Sequence, residues 1–288
     1  LGETRAGCYK SATCRGVKAV DILHVAVLAI ARGVTEFLPV GSSADLAVVA
    51  PLAAWLDRGA RVDLAVHLGV LGAVAVYLWR DLWTMAGGTV RYLSGRRDAV
   101  GARLAFQLAV ASVPILAAGF LLERHVPGGL ASPRVVGWSM LGFGVVLWLA
   151  DRVGMTIRRV EHLSVGDAVV IGIAQAAALV PGAGRAVVTM SAARILGLER
   201  IDAARFSLLL AIPALLGLVV AKGVALAASP AAPRPVGVLL AAALAFAAAL
   251  AGIAFLMAWL RRATFTPFAL YRVVVGGALL GLGYGWGP

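Results

Sequence analysis

Arg32-Gly-Val-Thr-Glu-Phe-Leu-Pro-Val-Gly-Ser-Ser-Ala-Asp45 breaks an apolar stretch into two short runs, Ile22–Ala31 and Leu46–Leu56. Val180-Pro-Gly-Ala-Gly-Arg-Ala-Val-Val-Thr189 does the same between Val165–Val180 and Val187–Leu196. None of these runs reaches the roughly 20 residues that a helix needs to cross a hydrocarbon layer. Short apolar segments broken by Gly and Pro at matching places are the pattern of discontinuous or re-entrant helices. Arg32, Glu36 and Asp45 are ionisable residues in apolar surroundings, where charge is costly and marks function. A loop at the membrane surface would carry the same residues in water, but the short flanks and the recurrence of the pattern favour burial.

The rest of the chain agrees with a bilayer setting. Of 288 residues 61% are hydrophobic and only 14% charged, and the mean hydropathy is +0.92. A soluble domain carries about a quarter charged residues, so an ordinary cytosolic enzyme, a disordered chain and a disulfide scaffold are excluded. Long runs such as Val62–Trp79, Leu104–Leu122, Leu208–Ala228 and Val236–Leu260 predict an all-α polytopic membrane protein with roughly eight spans. The net charge of +12 implies no nucleic acid, because the arginines cluster between apolar runs. Arg80, Arg91, Arg96, Arg97 and Arg103 form one cluster, Arg152, Arg158 and Arg159 a second, and Arg261 and Arg262 a third. The positive-inside rule puts these, and Arg194–Arg205, on the cytoplasmic side and the Ser229–Pro235 turn outside. Tryptophans such as Trp79, Trp83, Trp138 and Trp148 read as interfacial anchors in contact with membrane lipids. Cys8 and Cys14 have no further metal-binding partner nearby, which excludes a zinc site. Residues 1–20 form a basic tail to which no function is assigned, and residues 21–288 form a single membrane domain.

The domain carries an internal echo. Ala31 to Pro39 resembles Ala174 to Pro181 with one gap, and Arg61-Val-Asp-Leu-Ala65 resembles Arg200-Ile-Asp-Ala-Ala204. This predicts inverted repeats, about 21–122 and 135–260 plus a C-terminal helix, with two re-entrant helical hairpins meeting near the midplane. In the second interruption, the Pro181–Gly184 turn leaves amides free at a helix start beside Arg185. Oriented amides, the helix dipole and a guanidinium make an anion cradle. A carboxylate brought next to it suits binding and cleavage of a phosphate ester in a dry pocket. His67, on an apolar helix, reads as a packed and hydrogen-bonded residue.

These segments carry a family resemblance. Gly33-Val-Thr-Glu-Phe-Leu-Pro39 resembles the first motif of the undecaprenyl-pyrophosphate phosphatase (BacA/UppP) family, E-G-x-T-E-F-L-P-x-S-S-[ST]-G-H. Ala174-Gln175, Pro181-Gly182, Arg185 and Thr189 resemble the second, P-G-x-S-R-S-G-A-T. The likeness runs on through Leu196-Gly-Leu198, Ala204-Arg-Phe-Ser207, Ala211-Ile-Pro213, Phe265-Thr-Pro-Phe268 and Tyr271-Arg272. It implies a multi-pass enzyme of the bacterial inner membrane that hydrolyses a C55 isoprenyl pyrophosphate. That activity recycles the lipid carrier for peptidoglycan and other envelope polymers. The resemblance also implies Mg2+ or Ca2+ as cofactor, and a homodimer is a further expectation.

Residue by residue, Glu36, Ser42, Arg185 and Thr189 match motif positions and are the catalytic candidates, with Asp45 as a substitute acid or base. Arg32, Ser43, Gly182, Gly184 and Arg185 are candidates for phosphate binding, and Glu36 and Asp45 for a metal. Arg32 replaces the first motif glutamate, Gly41 a serine, Asp45 the histidine and Gly184 a second serine. Two readings follow. One is a diphosphatase with a rebuilt acid–base set; the other is a binder or flippase of polyprenyl phosphate that has lost the chemistry, with Arg32 and Arg185 as a clamp. A structural paralogue partnering an envelope enzyme is a third.

Overall fold

The computed structural model describes residue 23 and residues 25–41, 59–95, 100–125, 132–155, 157–227 and 235–284. Ten α-helices cover them: α1 (Val25–Thr35), α2 (Gly59–Tyr77), α3 (Trp79–Leu93), α4 (Val100–His125), α5 (Pro133–Val153), α6 (Val165–Ala176), α7 (Arg185–Ile195), α8 (Arg200–Ala227), α9 (Pro235–Leu260) and α10 (Thr266–Gly283). Six are long and apolar enough to cross a membrane, namely α2, α4, α5, α8, α9 and α10. These six are counted among the described residues, whereas the expectation of roughly eight is for the whole chain. At 1.5 Å per residue, α1 and α7 are each about 16 Å long and α6 about 18 Å. Local sequence sets the boundaries. Ser132 caps α5, its Oγ accepting from the Val135 amide at 3.2 Å with Pro133 at the first helical position. Ser164 and Asp167 make a reciprocal capping box at the start of α6.

Small residues decide which helices touch. A β-carbon on Gly33 would lie 2.7 Å from the Ala245 carbonyl of α9, and one on Gly172 would lie 2.5 Å from the Ala111 carbonyl of α4. Gly137 and Gly276 face each other where α5 crosses α10; a β-carbon on either would meet the other's carbonyl oxygen at 3.1 or 2.9 Å. This is close helix packing through small residues, the usual means of association in a bilayer. Between the helices, Phe37, Phe206, Met190, Leu209 and Ile253 are buried. Trp79, Trp83 and Trp138 are exposed on the outside, which agrees with a role as lipid-facing anchors.

Ion pairs fix the direction of each helix. Asp63 near the start of α2 pairs with Lys222 near the end of α8, and Asp81 at the start of α3 pairs with Arg205 near the start of α8. Helices α2 and α8 are therefore antiparallel. Gln107 of α4 donates to the Leu163 carbonyl just before α6 at 2.6 Å, so α4, α6 and α8 begin at the same end of the bundle. Helix α7 returns to that end: Arg194 is fully buried and pairs at 3.2 Å with Asp151 at the end of α5. Asp151 also accepts from Arg200 at 2.7 Å and from the Phe265 amide, which leads into α10, at 3.1 Å. Arg103, Arg152, Arg158, Arg159, Arg194, Arg200 and Arg205 thus share one end, as the positive-inside reading expects. Several of them are tied down there, Arg158 by Asp167 at 2.6 Å.

Asp151 is the sole described carboxylate beside a buried guanidinium at this end. Asp151→Asn is expected to destabilise the fold by about 3–5 kcal/mol, because it strands a buried charge. Arg200→Gln, at a side chain one third exposed, is expected to cost about 1 kcal/mol or less. Thermal unfolding in detergent measures both.

Candidate functional site

Helix α1 runs from the level of Lys222 toward the level of Ala211, and α7 starts from that second level. The two broken segments therefore approach from opposite ends and meet at one pair of side chains. Arg185, the first residue of α7, donates from Nη2 to Glu36 Oε1 at 2.8 Å and from Nη1 to the Ala211 carbonyl of α8 at 2.9 Å. Both side chains are mostly buried, yet both reach the wall of a cavity of about 480 Å³. The first α-helical bond after the turn runs from the Val188 amide to the Gly184 carbonyl at 3.2 Å. The amides of Arg185, Ala186 and Val187 precede it, and these residues line the same cavity. Around this polar floor the walls are apolar: Ile115, Leu116 and Phe120 from α4, and Leu215 and Leu218 from α8.

The turns are held from behind by a residue that sequence reasoning did not place in the site. Arg272 of α10 is fully buried. Its Nη2 donates to the carbonyls of Gly182 (2.6 Å) and Ala183 (2.9 Å), and its Nη1 to that of Val40 at 3.3 Å. One guanidinium thereby satisfies carbonyls from both interruptions. Gly41, Gly182 and Gly184 adopt φ of +99°, +93° and +75°, a region glycine enters without strain. A β-carbon on Gly41 would sit 2.6 Å from Arg272 Nη1, and one on Gly184 would sit 3.5 Å from Gly41 Cα. The two positions where the family motif has serine are therefore pressed together here, with Arg272 filling the space a side chain would need.

The other candidates fall in several places. Thr189 is buried away from the cavity; its hydroxyl hydrogen-bonds the Arg185 carbonyl at 2.8 Å and Ser207 Oγ at 2.6 Å, which ties α7 to α8. Gly182 faces α5 rather than the cavity. Arg32 does not join Arg185 on Glu36: it donates to Asp63 at 2.7 Å, and Asp63 also accepts from Lys222. His67 is packed as expected, its Nδ1 2.6 Å from the Asp63 carbonyl. Ser42, Ser43 and Asp45 lie outside the described residues. Arg272, Asp63 and Lys222 had a signal in the sequence, since each is an ionisable residue inside a long apolar helix. Ser207 had none.

Among the described residues, no three His, Cys, Asp or Glu side chains come together in a way that would hold a metal ion. Among the described residues Glu36 is the single carboxylate on the cavity wall, and one of its oxygens already accepts from Arg185. The described donors alone do not make up a ligand set for a divalent ion.

The family described as bacitracin resistance protein BacA matches residues 25–278. The chain is similar to undecaprenyl-diphosphatase 1 of Rhodospirillum rubrum, with 47% identity over 91% of this chain and 95% of the relative. It is 41% identical to the undecaprenyl-diphosphatase of Ruegeria pomeroyi, over 92% of this chain and all of the relative. The corresponding protein of Maricaulis maris is 43% identical, over 91% of this chain and 98% of its own.

Gly41→Ala is expected to destabilise the protein by about 1–3 kcal/mol through the backbone alone, with a further loss from displacing Arg272. Gly277→Ala in α10, where a β-carbon meets nothing within 4 Å, is expected to be neutral or to stabilise by up to about 1 kcal/mol. Paired melting curves in detergent read the contrast.

Proposed function

The chain belongs to the BacA family, and from that membership we propose that it removes the terminal phosphate from a C55 isoprenyl pyrophosphate carrier. The observation that carries this reading is the Glu36–Arg185 pair on the floor of an apolar-walled cavity. Six long apolar helices and the family make the protein a multi-pass protein of the bacterial inner membrane. The duplicated entry of α1 and α6 from opposite ends supports the two-repeat organisation, with α6–α7 as a re-entrant hairpin. The positive-inside assignment of the arginine-rich end makes the cavity end the outer one.

In the resting site Glu36 and Arg185 neutralise each other. An arriving pyrophosphate, with more negative charge than a carboxylate, draws Arg185 onto its oxygens and leaves Glu36 without that partner. The α7 amides and the helix dipole face the same phosphate. Glu36 then takes a proton from a water whose oxygen attacks the terminal phosphorus. The bond from that phosphorus to the bridging oxygen breaks, and the bridging oxygen stays on the lipid monophosphate. Arg185 and the amides carry the charge that builds on the non-bridging oxygens. Ser42 and Asp45, which follow along the chain, complete the set in this reading. The non-hydrolytic reading is not favoured, since the relatives carry the diphosphatase name over nearly their whole length.

Phosphate release from C55 isoprenyl pyrophosphate by the purified protein tests the reading. Glu36→Gln is expected to lower turnover by about 10²–10⁴-fold while lipid binding persists or tightens. Arg185→Ala is expected to weaken lipid binding by roughly 10–100-fold. Turnover that survives Glu36→Gln would overturn the assignment of the base.

A further inference from the structure

We propose that α3 lies along the inner face of the bilayer and binds anionic phospholipid headgroups through Arg80 and Arg91. Depth is the first part of the argument. Asp63 and Asp81 are tied to Lys222 and Arg205, which stand on one helix, α8, about 26 Å apart. That is close to the roughly 30 Å of a hydrocarbon core, so α2 has used up the bilayer by the time the chain reaches Asp81. The helix is interrupted at Leu78, with φ −99° and ψ 22°, and α3 continues for 15 residues. It is not one of the six helices long and apolar enough to cross. Two Trp–Arg contacts mark the same end: Arg80 lies 5.6 Å from the Trp79 ring, and Arg152 lies 5.2 Å from that of Trp148 in the last turns of α5. Tryptophan and arginine side by side suit the boundary between acyl chains and headgroups.

Helical spacing then gives α3 three faces. Asp81, Met85 and Gly88 face the bundle: Asp81 pairs with Arg205, and a β-carbon on Gly88 would lie 2.8 Å from the Gly101 Cα of α4. Trp79, Trp83, Ala86, Val90 and Leu93 form a second row, which is exposed, Trp83 by 76% and Leu93 by 79%. Arg80, Thr84, Gly87 and Arg91 form a third row, also exposed, about 100° further round the helix. Projecting into water, α3 would leave the whole second row wetted, against the hydrophobic effect. Laid along the membrane, it sinks that row into the acyl boundary and keeps the arginine row among the headgroups. Among the described residues neither the Arg80 nor the Arg91 side chain has an ion pair or hydrogen bond with the protein, unlike Arg158, Arg194, Arg200 and Arg205. Asp81, the one acid of α3, is already paired. Arg96 and Arg97, against Asp98, follow in the sequence and lie outside the described residues. The charge left over on this face is positive, and a phosphodiester headgroup of net negative charge complements it.

Melting of the full chain in a neutral detergent, with phosphatidylglycerol or phosphatidylcholine added at equal mole fraction, reads the preference. Phosphatidylglycerol is expected to give the higher midpoint, by about 2–4 °C for each arginine engaged. The Arg80→Gln, Arg91→Gln double variant is expected to lose that excess and to keep its midpoint in phosphatidylcholine, because neither side chain bonds to the protein. Lysine at both positions is expected to retain the excess, since the attraction is one of charge. Arg261→Gln with Arg262→Gln, at the same end but off α3, is expected to leave the excess intact. A second measurement covers the apolar row: in bilayers carrying brominated acyl chains, the fluorescence lost on Trp83→Phe is expected to be the part quenched most by bromine near the headgroup end. No excess with phosphatidylglycerol, an excess that survives the Arg80/Arg91 double variant, or an equal loss in the Arg261/Arg262 pair would overturn the proposal. So would a Trp83 signal that brominated lipid leaves unquenched, which would place α3 in water, or a dimer that falls to monomers on Trp83→Ser with Val90→Ser, which would make a second copy the occupant of this face.

Discussion

A helix that stops inside a bilayer leaves amides and carbonyls that no lipid can satisfy. Helix α1 stops there and α7 starts there, and the arrangement around them follows from that constraint. Arg272 accepts the burden for the carbonyls, gathering Val40, Gly182 and Ala183 on one buried guanidinium. The glycines at 41, 182 and 184 let the two turns come close enough to share it, and the Gly137–Gly276 crossing brings α10 close against α5. At the start of α7 the helical bonding has not yet begun, and Arg185, Ala186 and Val187 line the cavity there.

The two ends of the bundle are built differently. At the arginine-rich end several cations are tied down: Arg194 and Arg200 on Asp151, Arg205 on Asp81, Arg158 on Asp167, and Arg103 on the Glu161 and Leu163 carbonyls. Charges that set topology during insertion also bolt α5, α7, α8 and α10 together afterwards. At the other end the ion-pair cluster of Arg32, Asp63 and Lys222 is more exposed than the Arg194–Asp151 pair.

Much of this was legible in the sequence, and the limits have a physical cause. Composition and run length gave the fold class, because a bilayer imposes an average property on every residue. The interruptions at 32–45 and 180–189 stood out because they violate that average, and the Glu36–Arg185 partnership followed from opposite charges in matching places. The partners of Arg32 were not legible because they are remote along the chain: Asp63 is 31 residues away, and Lys222 reaches Asp63 from 159 residues away. Gly41 and Gly184 read as losses of a hydroxyl; only the fold shows that Arg272 occupies the space a side chain would take. Thr189 matched its motif position, yet its hydroxyl is spent on Ser207, a contact that no spacing announces.

The cavity is bounded on one side by Leu116 and Phe120 of α4 and Leu218 of α8, all of them also exposed on the outer surface of the bundle. A door of that kind gives onto the lipid phase. A polyprenyl carrier entering there never leaves its leaflet, so its search for the site is two-dimensional and its effective concentration is a mole fraction of surrounding lipid. Affinities expressed per litre of solution would then vary with the amount of detergent or lipid in the assay, whereas those expressed per unit of membrane would not.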